Sequence, residues 1–160
     1  MPTSNDEGTS IVQNIDYLFV QRGELLPAWL KLDDLVGFLS TQMVPYQDTA
    51  PDVRRGLEYA FSDSEEKGGF AVLALHAEEL LGAVVFLKTG MKGYVPDNLL
   101  LFVCVDPKTR GQGIGKRLIE KALSHCDGAV KLHVEPDKPA RRLYERMGFE
   151  NKYLEMRYQR

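Results

Sequence analysis

Residues 99–105 (LLLFVCV) form the most apolar run in the chain, stopped abruptly by Asp106 and Pro107. No polar residue breaks the run at alternate positions, so it has no solvent face and reads as a central strand covered on both sides. A basic, glycine-rich turn follows at once, and then residues 111–126 read as an amphipathic helix. Ile114, Leu118, Ile119, Ala122, Leu123 and Cys126 make its apolar stripe, with Lys116, Arg117, Glu120 and Lys121 mostly opposite. A buried strand that runs through glycines into such a helix needs layers on both faces of a sheet.

The rest of the chain fits that frame. Residues 1–10 read as a polar, flexible tail, and 11–20 as a first strand. Pro27 opens a helix that runs to Met43 and ends at Pro45. A second helix follows Thr49 or Ala50, with Pro51 in its first turn. Residues 62–69 are a charged loop. Two apolar runs, 70–75 and 80–87, read as a hairpin, and 88–98 as a turn-rich loop. Gly128 is the stop signal after the amphipathic helix. Residues 129–134 alternate as a strand, 139–147 form a short helix ended by Gly148, and 149–158 read as a last strand.

Length and composition narrow the class. A chain of 160 residues supports one core, so 1–160 is expected to be a single domain. With 20 basic and 23 acidic residues, the net charge of −3 offers no electrostatic reason for nucleic-acid binding. No stretch has the length or apolarity of a membrane span, and the start lacks the pattern of a signal peptide. The two cysteines, Cys104 and Cys126, lie in apolar segments and read as reduced thiols of a cytoplasmic protein.

The chemistry concentrates in VCVDPKTRGQGIGKRL (103–118). Gly111, Gly113 and Gly115 bare the backbone where the helix begins, so free N–H groups and the helix dipole favour an anion there. Arg110 and Lys116 add fixed charge, and together these features suit a phosphate or pyrophosphate. A Walker A loop fails, because Lys116 is followed by Arg117 and its first glycine would fall on Arg110. The dinucleotide fingerprint fails as well, since its last glycine falls on Lys116 or Leu118. What fits is R-x-x-G-x-G at Arg110, Gly113 and Gly115.

R-G-Q-G-I-G after a V-x-V-D-P strand end resembles the acetyl-CoA motif of the GNAT superfamily of N-acetyltransferases. A second segment agrees: Ala140, Leu143, Tyr144, Gly148 and Phe149 are similar to that superfamily's A-x-x-L-Y-x-x-x-G-F segment. The likeness covers about 70–158. It implies an α/β fold with a mixed, mostly antiparallel central sheet of about six strands. About four helices would flank that sheet, and it would be splayed at the acetyl-CoA site.

The resemblance also implies roles. Val103 and Val105, with Cys104 between them, would lie on the strand that pairs with the pantetheine arm. The backbone of Arg110, Gly111, Gln112, Gly113, Ile114, Gly115 and Lys116 would cradle the pyrophosphate. The N–H at or near Val105 would donate to the thioester oxygen. Tyr144 would be the general acid for the departing thiolate and would touch the cofactor. Relatives often carry Asn where this chain has Asp137. An ionised Asp accepts but cannot donate to a pantetheine carbonyl, so Asp137 is also a candidate cap for the following helix.

An amine acceptor must lose a proton before attack. The strand glutamate common in relatives is replaced by Leu99, Leu100 and Leu101. That leaves Asp97, His133, Glu135 or a water relay as candidate bases. Lys138, Arg141, Arg142 and Arg146 form either a solvated helix face or a contact for the 3′-phosphate. Trp29, Tyr46 and Tyr59 are core residues or an acceptor-pocket lining. His133 and Glu135 mimic a zinc deaminase H-x-E, but no P-C-x-x-C partner exists, and no metal site is expected. No covalent nucleophile is apparent, so the expected reaction is direct acetyl transfer from acetyl-CoA to a primary amine in a ternary complex. A non-catalytic acyl-CoA sensor, or transfer of another acyl group, are the alternatives. A homodimer is a family-level expectation.

Overall fold

The computed structural model describes residues 14–42 and 49–160. The expected tail, the first residues of the opening strand, and Met43, Pro45 and Tyr46 lie outside the described residues.

Five strands form one sheet in chain order: β1 (Asp16–Val20), β2 (Gly69–His76), β3 (Glu79–Lys88), β4 (Asn98–Val105) and β5 (Val130–Leu132). The first four are antiparallel neighbours, and β5 joins β4 in parallel. Helices α1 (Leu32–Gln42) and α2 (Ala50–Ala60) precede β2. Helix α3 (Ile114–Leu123) carries the chain from β4 to β5, as a parallel connection requires, and α4 (Ala140–Arg146) follows β5.

Pleating sends alternate residues to opposite faces, so each central strand feeds two core layers. Leu73, Val85, Phe102 and Cys104 pack with Leu35, Leu39, Val53 and Leu57 under α1 and α2. Val72, Val84, Phe86 and Leu100 pack with Ile114, Leu118, Ile119 and Tyr144 under α3 and α4. This double burial explains why the runs in β2 and β3 are continuously apolar. The cap on α2 is as expected: Asp52 N–H donates to Thr49 Oγ1 (3.4 Å), with Pro51 in the first turn.

Several boundaries differ from the sequence reading. Helix α1 begins at Leu32 and not at Pro27. Pro27 opens a turn closed by Leu30 N–H to its carbonyl (2.9 Å), and Asp34 then caps the helix by accepting from Lys31 N–H (2.9 Å). The hairpin turn is only Ala77 and Glu78, with Ala77 at φ +52°, so His76 and Glu79 join the strands. Helix α3 begins at Ile114, because Gly111 and Gly113 adopt positive φ, and it ends at Leu123. Residues 124–126 continue as tighter turns, with His125 N–H to the Ala122 carbonyl and Cys126 N–H to the Leu123 carbonyl.

The expected last strand at 149–158 is absent, so the described sheet has five strands. Phe149 packs into the α3–α4 layer, but Leu154, Met156 and Tyr158 are 84%, 88% and 87% exposed. Their alternation supplies an apolar face, yet a strand also needs an open ladder beside it. The strand before it in the chain, the edge strand β5, is three residues long and half-buried.

Two details set up the site. The β3–β4 register shifts between Val85 and Phe86, leaving Leu101 as a bulge in β4. The β4–β5 pairing runs only from Asn98↔Val130 to Leu100↔Leu132. Asn98, 3% exposed, pins that junction by donating from Nδ2 to the carbonyls of Asp127 (2.7 Å) and Ala129 (3.2 Å).

Candidate active site

Backbone direction along β4 follows from two hydrogen bonds. Asn98 N–H donates to Ala129 O, toward β5, and Asp106 N–H donates to Leu81 O (2.7 Å), toward β3. Without a bulge, residues 98 and 106 would face the same way. The Leu101 bulge reverses the alternation, so Val103 and Val105 turn their polar groups away from β3. They face the side where β5 has already left the sheet. Among the described residues the sheet is therefore split at its end, where no strand pairs with β4 at Val103 and Val105. Cys104 does not share this edge, since the same alternation turns its backbone toward β3. Its side chain lies in the α1–α2 layer, where burial pushes the thiol up to about 12 against small opposing effects of Arg110 and Lys138. A thiol so raised is a poor nucleophile.

The turn after β4 is built tightly. Asp106 Oδ1 accepts from Lys108 N–H (2.8 Å), and the Asp106 carbonyl accepts from the Thr109 N–H (2.9 Å) and hydroxyl (3.1 Å). The chain then swings through Gly111 at φ +79° and Gly113 at φ +81°, where a Cβ would meet nothing within 4 Å. Glycine is required there by conformation, and it leaves free space on the open side. Gly113 is the N-cap of α3 and offers no side-chain acceptor. The first N–H groups of α3, from Ile114 to Lys116, consequently lack in-helix partners.

A cleft of about 760 Å³ lies against this turn. Val105, Thr109, Arg110, Gly111, Gly113, Ile114, Gly115 and Lys116 line one side, and Leu143, Arg146 and Met147 of α4 the other. Gln112 lies exposed in the same turn but does not line the cleft. Thr109, Leu143 and Met147 are additions to the expected set. Leu143 and Met147 have the i, i+4 spacing of an ordinary core stripe, and that spacing beside Tyr144 is the signal in the sequence that one face of α4 borders the cleft. Lys116 forms an exposed i, i+4 ion pair with Glu120 (3.8 Å). The Arg110 guanidinium donates to the carbonyls of Val105 (3.2 Å) and Gln42 (2.6 Å).

Tyr144 is 6% exposed, and its ring meets Phe149 edge-on at 5.9 Å. Burial pushes its phenol up to about 12. Among the described residues no sealed side-chain oxygen lacks a partner, and the Tyr144 hydroxyl has no protein partner, so that hydroxyl still reaches open space. Helix α4 stops just beyond it: Gly148 takes φ +99°, and Phe149 N–H returns to the Tyr144 carbonyl (3.0 Å).

The three candidate bases separate. Asp97 sits at the far end of β4, about 26 Å from Val105 along an extended strand, with its carboxylate against the space over Gly128. The structure does not bring it to the split. His133 and Glu135 lie exposed just past β5. Val130, Leu132 and Val134 face α3 and α4, which leaves His133 and Glu135 on the opposite side of the sheet.

Asp137 does not cap α4, whose N-cap is Pro139 with no side-chain bond. It lines a separate cavity of about 470 Å³ with Lys138, Arg141 and Arg142. Arg141 is held by Glu145 (2.7 Å), whereas Arg146 borders the glycine-turn cleft. Trp29 packs in the α1–α2 layer, and Tyr59 reaches the Lys88 carbonyl (3.5 Å) at the end of the sheet away from the split. Among the described residues no group of three or more His, Cys, Asp or Glu is placed to hold a metal, and no helix is long and apolar enough to cross a membrane.

A family model described as "Acetyltransferase (GNAT) family" matches residues 38–149, well over half of the sequence. The chain belongs to the GNAT acetyltransferase family. It is by that membership an acyltransferase, in a family that uses acetyl-CoA. Solved structures share the fold. A GNAT family acetyltransferase of Streptococcus pneumoniae is 20% identical with a TM-score of 0.66, over 91% of this chain and 98% of that one. An aminoglycoside N-acetyltransferase in complex with CoA is 15% identical, TM-score 0.66, over 91% and 95%. An aminoglycoside acetyltransferase from an uncultured soil metagenomic sample is 18% identical, TM-score 0.60, over 91% and 97%. No curated protein matches in sequence.

Proposed function

We propose that this family member transfers an acetyl group from acetyl-CoA to a primary amine by direct attack within a ternary complex. The observation that carries the reading is the early end of the β4–β5 pairing at Leu100↔Leu132, beside the glycine turn. An extended pantetheine arm fits the open β4 edge as a substitute strand, hydrogen-bonding to Val103 and Val105. The turn from Gly111 and the N-terminus of α3 suit the pyrophosphate, since unpaired N–H groups and the helix dipole both favour an anion. The Val105 N–H, or its neighbour along the edge, serves the thioester oxygen.

Tyr144 is the proton donor in this reading. A phenol near 12 would be a weak acid toward a thiolate in water, with a pKa near 8.5. A buried thiol in this protein is raised as well, to about 12 at Cys104. A coenzyme A thiolate shielded from water would gain basicity through the same desolvation, which narrows the gap between donor and acceptor. For the base, His133 and Glu135 remain, directly or through water, because they flank the split while Asp97 does not.

The acceptor is a primary amine of a small molecule or peptide. Calorimetric binding of acetyl-CoA, paired with a thiol-release assay over polyamines, aminoglycosides, amino acids and peptides, tests the reading. Binding with amine-dependent release is expected. Absence of binding would overturn the site assignment, and binding without release for every amine would overturn the amine acceptor.

A further inference from the structure

The side chain of Arg110 joins two parts of the protein that lie far apart in sequence. Its Nε donates to the Val105 carbonyl at 3.2 Å, and its Nη2 to the Gln42 carbonyl at 2.6 Å, across 68 positions of sequence. Among the described residues, Arg110 is the donor to the Gln42 carbonyl and to the Val105 carbonyl on the side that faces away from β3. Gln42 lies in the last described turn of α1. The Val105 carbonyl faces the split, where β5 supplies no donor. A planar guanidinium with donors in fixed directions can serve two such carbonyls at once, whereas a lysine ammonium is a single point on a flexible stem.

We propose that Arg110 is a positioning residue whose guanidinium ties the end of α1 to the mouth of the β4 split, with phosphate neutralisation not its main role. The proposal rests on the acetyl-CoA reading of the split and refines it. With the Val105 carbonyl already occupied, the pantetheine arm is left with the polar groups of Val103 and the N–H of Val105. The glycine turn and the described end of α1 are thereby held in one fixed relation.

Arg110→Gln and Arg110→Lys separate this role from a phosphate contact. Amide hydrogen exchange at residues 39–42 is measured without ligand, and acetyl-CoA affinity is measured by calorimetry at low and high salt. Both variants are expected to exchange about tenfold or more faster at the α1 end than wild type. Whatever affinity each retains, both should keep the wild-type salt dependence of acetyl-CoA binding, because no phosphate contact is lost. A tenfold loss of affinity in Arg110→Gln with a flattened salt dependence, rescued by Arg110→Lys, would make Arg110 a phosphate ligand and overturn the proposal. Unchanged exchange at 39–42 in Arg110→Gln, or its full restoration by lysine, would also overturn it. The exchange arm needs no ligand, so a wild-type protein that fails to bind acetyl-CoA would sink the cofactor reading while leaving the Arg110 tie to be judged by itself.

Discussion

Glutamate at position 113 gives the sharpest test of the anion cradle. Gly113 caps α3 at φ +81°, and a Cβ there meets no atom within 4 Å. The cost to the fold is therefore backbone strain alone, about 1–2 kcal/mol for an L-residue in the left-handed region. In a chain of this size that lowers Tm by roughly 2–8 °C, so the variant should remain folded at 25 °C. Gly113→Ala carries the same strain without the charge and serves as the control. The glutamate side chain extends into the open space of the cleft. A carboxylate about 4 Å from a single phosphate charge costs about 4 kcal/mol at an effective dielectric near 20, or roughly a thousandfold in affinity. It also competes for the same unpaired N–H groups at the start of α3, which favours the unliganded state further. Calorimetry with acetyl-CoA on wild type, Gly113→Ala and Gly113→Glu, with thermal melts alongside, reads both terms. If folded Gly113→Glu binds as tightly as Gly113→Ala, no phosphate lies at the helix start and the reasoning fails.

Three further outcomes follow from the same geometry. Tyr144→Phe keeps the ring that meets Phe149 and removes only the hydroxyl, so turnover should fall about 10²–10⁴-fold with acetyl-CoA affinity nearly unchanged; equal turnover would make Tyr144 a packing residue. The folded state holds the Tyr144 proton more tightly than the unfolded chain does, up to about 12 against 10. Its contribution is thus complete below pH 10 and is lost as pH rises toward 12, about 2–3 kcal/mol in all. Denaturant unfolding between pH 9 and 11.5 should show a shallower decline in Tyr144→Phe than in wild type, and parallel curves would contradict the burial argument. Gly69→Ala would place a Cβ 2.0 Å from the Phe86 carbonyl oxygen, a backbone atom of the neighbouring strand that cannot step aside. A loss of about 3 kcal/mol or more is expected, seen as a Tm drop of roughly 6 °C or greater, and a wild-type melt would refute the close approach of β2 and β3.

The parts of the fold that were legible in sequence are those fixed by burial pattern. Residues 99–105 had to be central because no solvent face was available, and the runs in β2 and β3 had to be covered on both sides. Thr49 with Pro51, and Gly148 after α4, marked ends because their chemistry is local. What stayed hidden depended on neighbours far along the chain. The pattern at 149–158 is as good as many real strands, and nothing in it says that the edge strand before it is three residues long. Asp97 and Glu135 looked equivalent as bases, since a sequence does not state which end of a strand lies at a split. The Leu101 bulge is invisible in LLLFVCV, yet it decides that Val103 and Val105, and not Cys104, face the opening.

The split itself has an account in the sequence once the topology is known. The antiparallel pairs β2–β3 and β3–β4 follow directly along the chain, and pairing extends along most of each strand. Strand β5 arrives instead by the α3 crossover and joins in parallel, a somewhat weaker pairing per residue. Asn98 secures its first residue through two side-chain hydrogen bonds, so β5 is held firmly at one end. At the other end, Pro136 and Pro139 interrupt the chain a few residues past Leu132, and neither can donate to a ladder. The Leu101 bulge meanwhile changes which β4 residues face that side. A strand pinned at its start, released after three residues and set beside a bulged partner leaves an opening of fixed position. That opening lies where the glycine turn bares the N-terminus of α3 and where α4 brings Leu143, Arg146 and Met147. The cleft is thus a consequence of how β5 enters and leaves the sheet, and substitutions that lengthen β5 past Leu132 should close it and abolish acetyl-CoA binding while raising stability.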